Sequence, residues 1–240
     1  MKISQQIAKK VEKMEEGLTF KYADLGVNLE QYEAAIKALV RLEEQGVIKR
    51  LSKGVYYKPK QSVFGVIGPR EEERLRPYLY DGKKRFAYIT GASLYNRMGL
   101  TTQVANTIKV ASRGRRVSTS IGNLKVMPVK SYLDVTNDNY LYLEFLDALK
   151  DFNNISDIDK RMAIKILRTK LSEFADIKKL IKIALEYPAR TRAFLGALLK
   201  YTQIDESEIL KLRNSLNLVS KYSLGLNDDI LEGASYWRIK

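Results

Sequence analysis

Residues 46–60 read GVIKRLSKGVYYKPK. Two β-prone runs, Val47–Leu51 and Val55–Lys58, flank the segment Ser52-Lys53-Gly54, and a short connection that contains glycine is typical of a hairpin. Lys49 and Arg50 lie in the first run, and Lys58 lies in the second. The hairpin is therefore either an ordinary part of a small domain or a basic surface that lies against nucleic acid. The residues that precede it favour the second interpretation.

Helical patterns precede the hairpin. An apolar repeat predicts a first helix that ends at Gly17, and residues 22–25 form a single helical turn. Asn28 is predicted to cap a further helix that runs to about Gln45, with Gln31 as its capping-box partner. The predicted apolar stripe of this helix consists of Tyr32, Ile36, Leu39 and Val40.

The order helix, short helix, helix and hairpin within the first 60 residues is that of a winged helix-turn-helix. In that fold the third helix enters the major groove of DNA and the hairpin, or wing, touches the backbone. Arginine, lysine and glutamine side chains read base edges or bind phosphates. The predicted DNA-binding residues are Gln31, Lys37 and Arg41 on the helix and Lys49, Arg50, Lys53 and Lys58 on the hairpin.

The formal net charge of +14 is unevenly distributed. No acidic residue lies between Asp81 and Asp134, a stretch of 52 residues that holds ten basic ones. Such a local field attracts a polyanion, although a solvated basic face is the alternative. A second candidate patch, which faces nucleic acid, an acidic protein or only water, consists of Arg113, Arg115, Arg116, Lys125 and Lys130.

The chain is predicted to be α+β with three domains. An N-terminal winged helix-turn-helix covers residues 1–60, and a small basic mixed α/β domain covers residues 61–135, beginning with a linker that contains a short helix. A tight hairpin turn is predicted at Gly122-Asn123. A C-terminal helical bundle of five helices covers residues 136–240, of which residues 215–240 give no clear pattern.

Several classes of chemistry are excluded by composition. Cysteine and histidine are absent, which removes disulfides, thiolate or imidazole metal ligands and nucleophile–histidine systems. A metal-dependent nuclease would need clustered carboxylates, and the strand-rich region has none. The remaining aspartates are interpreted as helix starts and surface loops: Asp157, Asp159, Asp176, Asp228 and Asp229. We therefore predict no enzymatic activity, no cofactor and no metal.

An alternative hypothesis is a non-catalytic interaction protein whose helical tail docks a partner. The candidate contact residues are Tyr187, Arg190, Arg192, Phe194 and Leu198. Apolar residues at helical spacing more often belong to a core, and this interpretation of the stripe stays open.

A cytoplasmic protein that does not enter a membrane is expected. No apolar run approaches the roughly 18–20 residues that span a bilayer. The first residues, MKISQQIAKKVEKMEEG, lack the apolar segment of a secretory signal peptide.

Five segments of the chain resemble the AbiEi-type antitoxins of bacterial type IV toxin–antitoxin systems and their relatives labelled as transcriptional regulators. The resemblance covers most of residues 1–225, and its most specific part is GASLYNRMGLTTQVANT. The segments are GVIKRLSKGVYYKP (46–59), ITGASLYNRMGLTTQVANTIKVASRGRR (89–116), IGNLKVMPVKS (121–131), YPARTRAFLGALL (187–199) and SLNLVSKYSLGL (215–226).

The resemblance implies a two-part antitoxin without enzymatic activity. The N-terminal domain would repress its own operon by binding double-stranded DNA at the promoter. The C-terminal part would counteract a nucleotidyltransferase-fold toxin encoded beside it, without a stable complex. By position, the family's DNA-reading helix falls on residues 28–45 and its wing on residues 47–58. A stand-alone DNA-binding regulator is the remaining alternative.

Overall fold

A computed structural model describes residues 3–63, 65–116, 118–121, 124–200, 205–217 and 219–240 of the chain. These residues form a mixed α+β structure, which confirms the predicted fold class at that level. The amphipathic repeats become helices because each places its apolar residues on one side, where packing buries them. The α-helices are α1 (Ile3–Glu12), α2 (Tyr32–Glu44), α3 (Glu71–Leu79), α4 (Ala92–Arg97), α5 (Tyr140–Lys150), α6 (Lys160–Ser172), α7 (Ile177–Ala184), α8 (Ala189–Leu199) and α9 (Glu206–Asn214).

The strands are short and form small sheets. One sheet has the strand order β1-β3-β2 and another has the order β10-β11-β9-β8, whereas β4 pairs with β5 and β6 with β7. The 3-10 turns are Tyr22–Leu25, Leu29–Gln31 and Phe152–Asn154. The strands are β1 (Thr19–Lys21), β2 (Lys49–Ser52), β3 (Val55–Tyr57), β4 (Lys60–Ser62), β5 (Gly65–Ile67), β6 (Tyr80–Asp81), β7 (Lys84–Arg85), β8 (Tyr88–Thr90), β9 (Thr107–Ser112), β10 (Thr119–Ile121) and β11 (Leu124–Lys130).

The hairpin at residues 46–60 forms as predicted. Strands β2 and β3 pair antiparallel, with Lys49 opposite Tyr57. The register shifts between Arg50 and Ser52, so β2 carries a bulge near the tip of the hairpin. Strand β1 adds a third strand on the other side of β3.

The chain divides into two units, the first of which consists of Met1–Arg85 together with Val117–Val126. Its core joins α1, α2 and the three-stranded sheet. Ile7 and Val11 of α1 pack with Leu39 of α2, and Ile48 lies in the same cluster. The hairpin is thus supported from behind by the helices of its own unit.

The predicted linker after residue 60 contains the short helix that the sequence indicates, α3, and in addition the strands β4 and β5. Pro77 lies inside α3 and has no N–H to donate to the carbonyl of Glu73, four residues earlier. The hydroxyl of Thr19 lies within hydrogen-bond distance of both that carbonyl, at 3.1 Å, and the Glu73 carboxylate, at 2.9 Å, and the backbone N–H of Thr19 donates to the same carboxylate at 3.0 Å. Tyr78 also shares a hydrogen bond with Ser52 of the hairpin. Helix α3 therefore belongs to the first unit.

The second unit consists of Phe86–Arg116 together with Met127–Lys240. Its core contains α5 and α8, which are buried over most of their length. Residues 215–240, which show no clear sequence pattern, pack into this core through Leu224, Leu231 and Trp237. The segment 61–135, predicted as a separate domain, is shared between the two units. Tyr88 and Ala111 of that segment belong to one apolar cluster with the C-terminal helices.

The predicted turn Gly122-Asn123 lies outside the described residues. The residues on either side are paired as a hairpin requires, with Ile121 opposite Leu124.

Candidate nucleic-acid interface

Helix α2 presents a different face from the one that its sequence predicts. Its buried residues are Ala35, Ala38 and Leu39, whereas Tyr32 and Val40 of the predicted stripe are 44% and 42% exposed. The prediction was wrong at these positions because it favoured large side chains over alanine. Small residues at the contact allow α1 and α2 to pack closely, which turns the larger side chains outward.

The outer face of α2 carries two of the predicted cations. Lys37 and Arg41 are exposed and four residues apart, so they share one side of the helix. Glu33 and Glu44 are exposed on the same side. Gln31 ends the preceding 3-10 turn, where its side-chain carbonyl accepts a hydrogen bond of 3.4 Å from the backbone N–H of Asn28. Gln31 therefore has the capping role that the sequence also predicts.

Three of the four hairpin cations are exposed. Lys49 and Arg50 lie on β2, and Lys53 lies at the tip beside Gly54, whose φ of +76° suits a tight turn. The Nε of Arg50 donates to the carbonyl of Ser52 at 3.3 Å, which holds its side chain along the strand. These residues and those on α2 belong to the same unit.

Lys58 has a structural role that the sequence did not indicate. Its amine donates to the carbonyls of Glu12 at 2.9 Å and Met14 at 3.3 Å. A cation at the C-terminal end of a helix satisfies orphan carbonyls and complements the helix dipole. Two of the three N–H donors of the Lys58 ammonium are thus engaged at the end of α1, so the proposal below does not use Lys58 as a DNA contact.

The second basic patch is divided between the two units. Lys125 belongs to the first unit, and Arg113, Arg115, Arg116 and Lys130 belong to the second. All five residues are exposed. The guanidinium of Arg115 lies 4.4 Å from the ring centre of Phe86, and Arg113 donates to the carbonyl of Tyr132 at 3.1 Å. The described contacts therefore do not define these residues as a single surface.

The predicted docking stripe in the helical tail is mostly core. Tyr187, Phe194 and Leu198 are buried in the second unit. Arg190 donates to the carbonyl of Lys150 at 2.9 Å, and Arg192 is half-buried. The docking prediction is corrected at the three apolar positions, because apolar side chains that fill a core are not available to a partner.

A family model described as "Family of unknown function (DUF6088)" matches residues 6–175, more than half of the chain. This chain belongs to that family. A similar solved structure is "Crystal structure of RV2827C protein from Mycobacterium tuberculosis", with 12% identity and a TM-score of 0.53. The similarity covers 92% of this chain and 85% of the other, and at this identity it shows a shared fold only. No curated protein matches the sequence significantly.

This DUF6088 chain also contains a buried polar cluster that sequence reasoning missed. The carboxylate of Asp147 on α5 accepts hydrogen bonds from Tyr88 at 3.0 Å, Thr90 at 2.7 Å and Lys150 at 2.9 Å. Tyr95 donates to Asp151 at 2.6 Å. The sequence contains one indication of this cluster, which is the aspartate within the otherwise apolar run FLDAL. An aspartate on a buried helix face needs hydrogen-bond donors around its carboxylate.

The contacts within the cluster determine the protonation states of its side chains. Burial by itself lowers the pKa of Lys150, but the bonded Asp147 carboxylate outweighs it, so the pKa lies above its ordinary value. Burial and the nearby carboxylates raise the pKa values of Tyr88 and Tyr95. Lys150 is thus cationic and both tyrosines are neutral at physiological pH, which suits a structural link between α5 and β8.

The aspartates of the nuclease hypothesis have structural roles. Asp159 accepts from the N–H of Met162 at 3.1 Å and caps α6, and Asp176 accepts from the N–H of Lys179 at 2.8 Å and caps α7. Within the ranges that the structure describes, no group of three or more acidic side chains is arranged to hold a metal ion. Those same ranges contain no helix long and apolar enough to cross a membrane.

Proposed function

We propose that this chain is a transcriptional repressor of the antitoxin type, which binds double-stranded DNA through a winged helix-turn-helix in its first unit. The observation that carries the proposal is the exposure of Lys37 and Arg41 on α2 together with Lys49, Arg50 and Lys53 on the neighbouring hairpin. All five lie in one unit, and their side chains are exposed.

The arrangement fits groove binding for a physical reason. Buried alanines hold α2 against α1, so the outer face of α2 is presented on a rigid support. A recognition helix placed in the major groove needs such a face, and the hairpin cations then reach the phosphates of the backbone. The proposal uses five of the seven predicted residues, since Gln31 caps the turn before α2 and Lys58 is engaged at the end of α1.

The test is a mobility-shift titration of the full chain against the DNA upstream of its own gene and a shuffled duplex. Replacing Lys37 and Arg41 together by alanine is expected to weaken binding to the upstream DNA by at least about tenfold. The matched control replaces Lys178 and Lys182, two exposed lysines four residues apart on α7, by alanine and should bind as the wild type does. Equal affinity of the α2 variant and the wild type would exclude α2 as the reading helix.

The antitoxin part of the proposal rests on the sequence resemblance. We expect the chain to relieve growth arrest caused by a nucleotidyltransferase-fold protein encoded beside it. Coexpression in a host that lacks both genes measures this effect. Continued arrest in the presence of folded wild-type chain would leave a stand-alone DNA-binding regulator as the better description. A docking role for the helical tail is not proposed, because Tyr187, Phe194 and Leu198 are buried.

A further inference from the structure

We infer that Leu29 reads the C5-methyl group of a thymine in the major groove. The inference rests on the proposed function and deepens it by naming a residue that determines sequence preference. Leu29 is 93% exposed, so it contributes almost nothing to the core of its unit. A thymine methyl is the apolar feature of the major groove, and aliphatic side chains contact it.

The backbone at Leu29 belongs to an ordered turn, although the side chain is exposed. It begins the 3-10 turn that leads into α2, and the backbone N–H of Gln31 donates to the carbonyl of Asn28 at 2.9 Å. At the end of the turn, the ring of Tyr32 packs 5.0 Å from that of Tyr22. Tyr22 in turn shares a hydrogen bond of 3.1 Å with Tyr56 of the sheet. Leu29 is therefore presented by an ordered segment.

The charges near Leu29 disfavour a contact with the DNA backbone. Glu30 and Glu33 follow it in the chain and are exposed, whereas the cations Lys37 and Arg41 lie further along the helix. Carboxylates repel phosphates, so this end of α2 is unsuited to the DNA backbone. The N-terminal residues of a recognition helix are those that approach base edges. In the proposed complex, the exposed leucine at this position therefore contacts base edges in the major groove.

The test starts from a duplex selected by the wild-type chain from a randomised library. Each thymine of the selected site is replaced in turn by deoxyuridine, which removes only the methyl group. The dissociation constant is measured for the wild type, Leu29→Ala and the control Val63→Ala, which truncates another nearly fully exposed aliphatic residue of the same unit (94%). Because both residues are exposed, both variants are expected to keep the wild-type fold.

We expect deoxyuridine at one thymine, or at two adjacent ones, to weaken wild-type and Val63→Ala binding by about three- to fivefold. Leu29→Ala should bind the selected duplex and the duplex with deoxyuridine at that position equally. Two outcomes overturn the inference while leaving the proposed function intact: no thymine position responds in the wild type, or Leu29→Ala responds as strongly as the wild type does. If the selection yields no sequence preference at all, the proposed function itself fails, and the inference fails with it.

Discussion

Gly196 in the middle of α8 lies directly under the indole ring of Trp237. A Cβ atom at this position would lie 2.3 Å from two ring carbons of Trp237, closer than any real contact. Alanine is normally preferred over glycine inside a helix by about 1 kcal/mol. Here the missing side chain instead makes room for the C-terminal segment, which the sequence alone did not place.

Replacing Gly196 by alanine is therefore expected to destabilise the protein by about 1–3 kcal/mol, because overpacking outweighs the gain in helix propensity. Urea-induced unfolding measures the change. The control is Gly114→Ala, where nothing lies within 4 Å of the added Cβ and φ is not positive, so stability should stay within about 0.5 kcal/mol. A Gly196→Ala variant as stable as the wild type would show that Trp237 does not pack there.

Asp147 supports a second prediction at the scale of the residue. Its side chain is almost fully buried, and it is the nearer of two carboxylates that compensate the charge of Lys150, at 2.9 Å against 3.8 Å for Asp151. Asp147→Ala should cost about 3 kcal/mol of unfolding free energy, because it removes the carboxylate that accepts from Tyr88 and Thr90 and leaves the partly buried Lys150 with only the more distant Asp151. Glu173→Ala, which breaks the exposed pair with Lys170, should cost less than about 1 kcal/mol. Equal effects of the two changes would contradict the role assigned to the cluster.

Among the elements, those that depend on local patterns could be predicted from the sequence. The helices after residue 139 and the β2–β3 hairpin follow from apolar spacing and from the glycine turn, and both are present. The orientation of α2 could not be predicted in the same way. Which face is buried depends on the fit of Ala35 and Ala38 against α1, and this contact joins residues distant in sequence.

The attachment of α3 to β1 is a further element-scale feature that sequence patterns did not show. Thr19→Val should destabilise the first unit by about 1–2 kcal/mol, because it removes the hydroxyl that hydrogen-bonds to Glu73, whose carbonyl and carboxylate both lie within reach of it. Chemical denaturation followed by circular dichroism checks this value. Thr102→Val, at an exposed threonine, serves as the control. No loss of stability in Thr19→Val would mean that α3 is held by other contacts.

For the whole molecule, the pH dependence of stability follows from buried tyrosines. Burial and the hydrogen bond to Tyr56 raise the pKa of Tyr22 from 10.0 to about 12. The folded chain keeps this proton at a pH where the unfolded chain loses it. The stability contributed by Tyr22 is thus complete below pH 10 and is lost as the pH rises towards about 12.

The loss of stability between these pH values should be smaller in Tyr22→Phe than in the wild type. Urea titrations at matched pH values measure the difference, and ultraviolet absorbance of tyrosinate reports the ionisation directly. Tyr236→Phe, at an exposed tyrosine, is the control and should follow the wild type. Identical curves for Tyr22→Phe and the wild type would show that Tyr22 is not shielded in the folded chain.

Only part of the candidate DNA-binding site could be predicted from the sequence. Composition and element order indicated Lys37, Arg41 and the hairpin cations, and these residues are exposed within one unit. The engagement of Lys58 by α1 and the division of the second basic patch between units depend on tertiary packing, which charge patterns do not contain.

The most direct test of DNA binding by α2 and the hairpin is the salt dependence of affinity for the upstream DNA. We predict that the wild-type chain binds with a steep negative slope of log K against log salt concentration. Replacing Lys49 and Arg50 together by alanine should make that slope shallower by about 1.8, or ~0.9 for each lost phosphate contact, while the Lys178 and Lys182 control keeps the wild-type slope. A slope that stays unchanged in the hairpin variant would contradict the account.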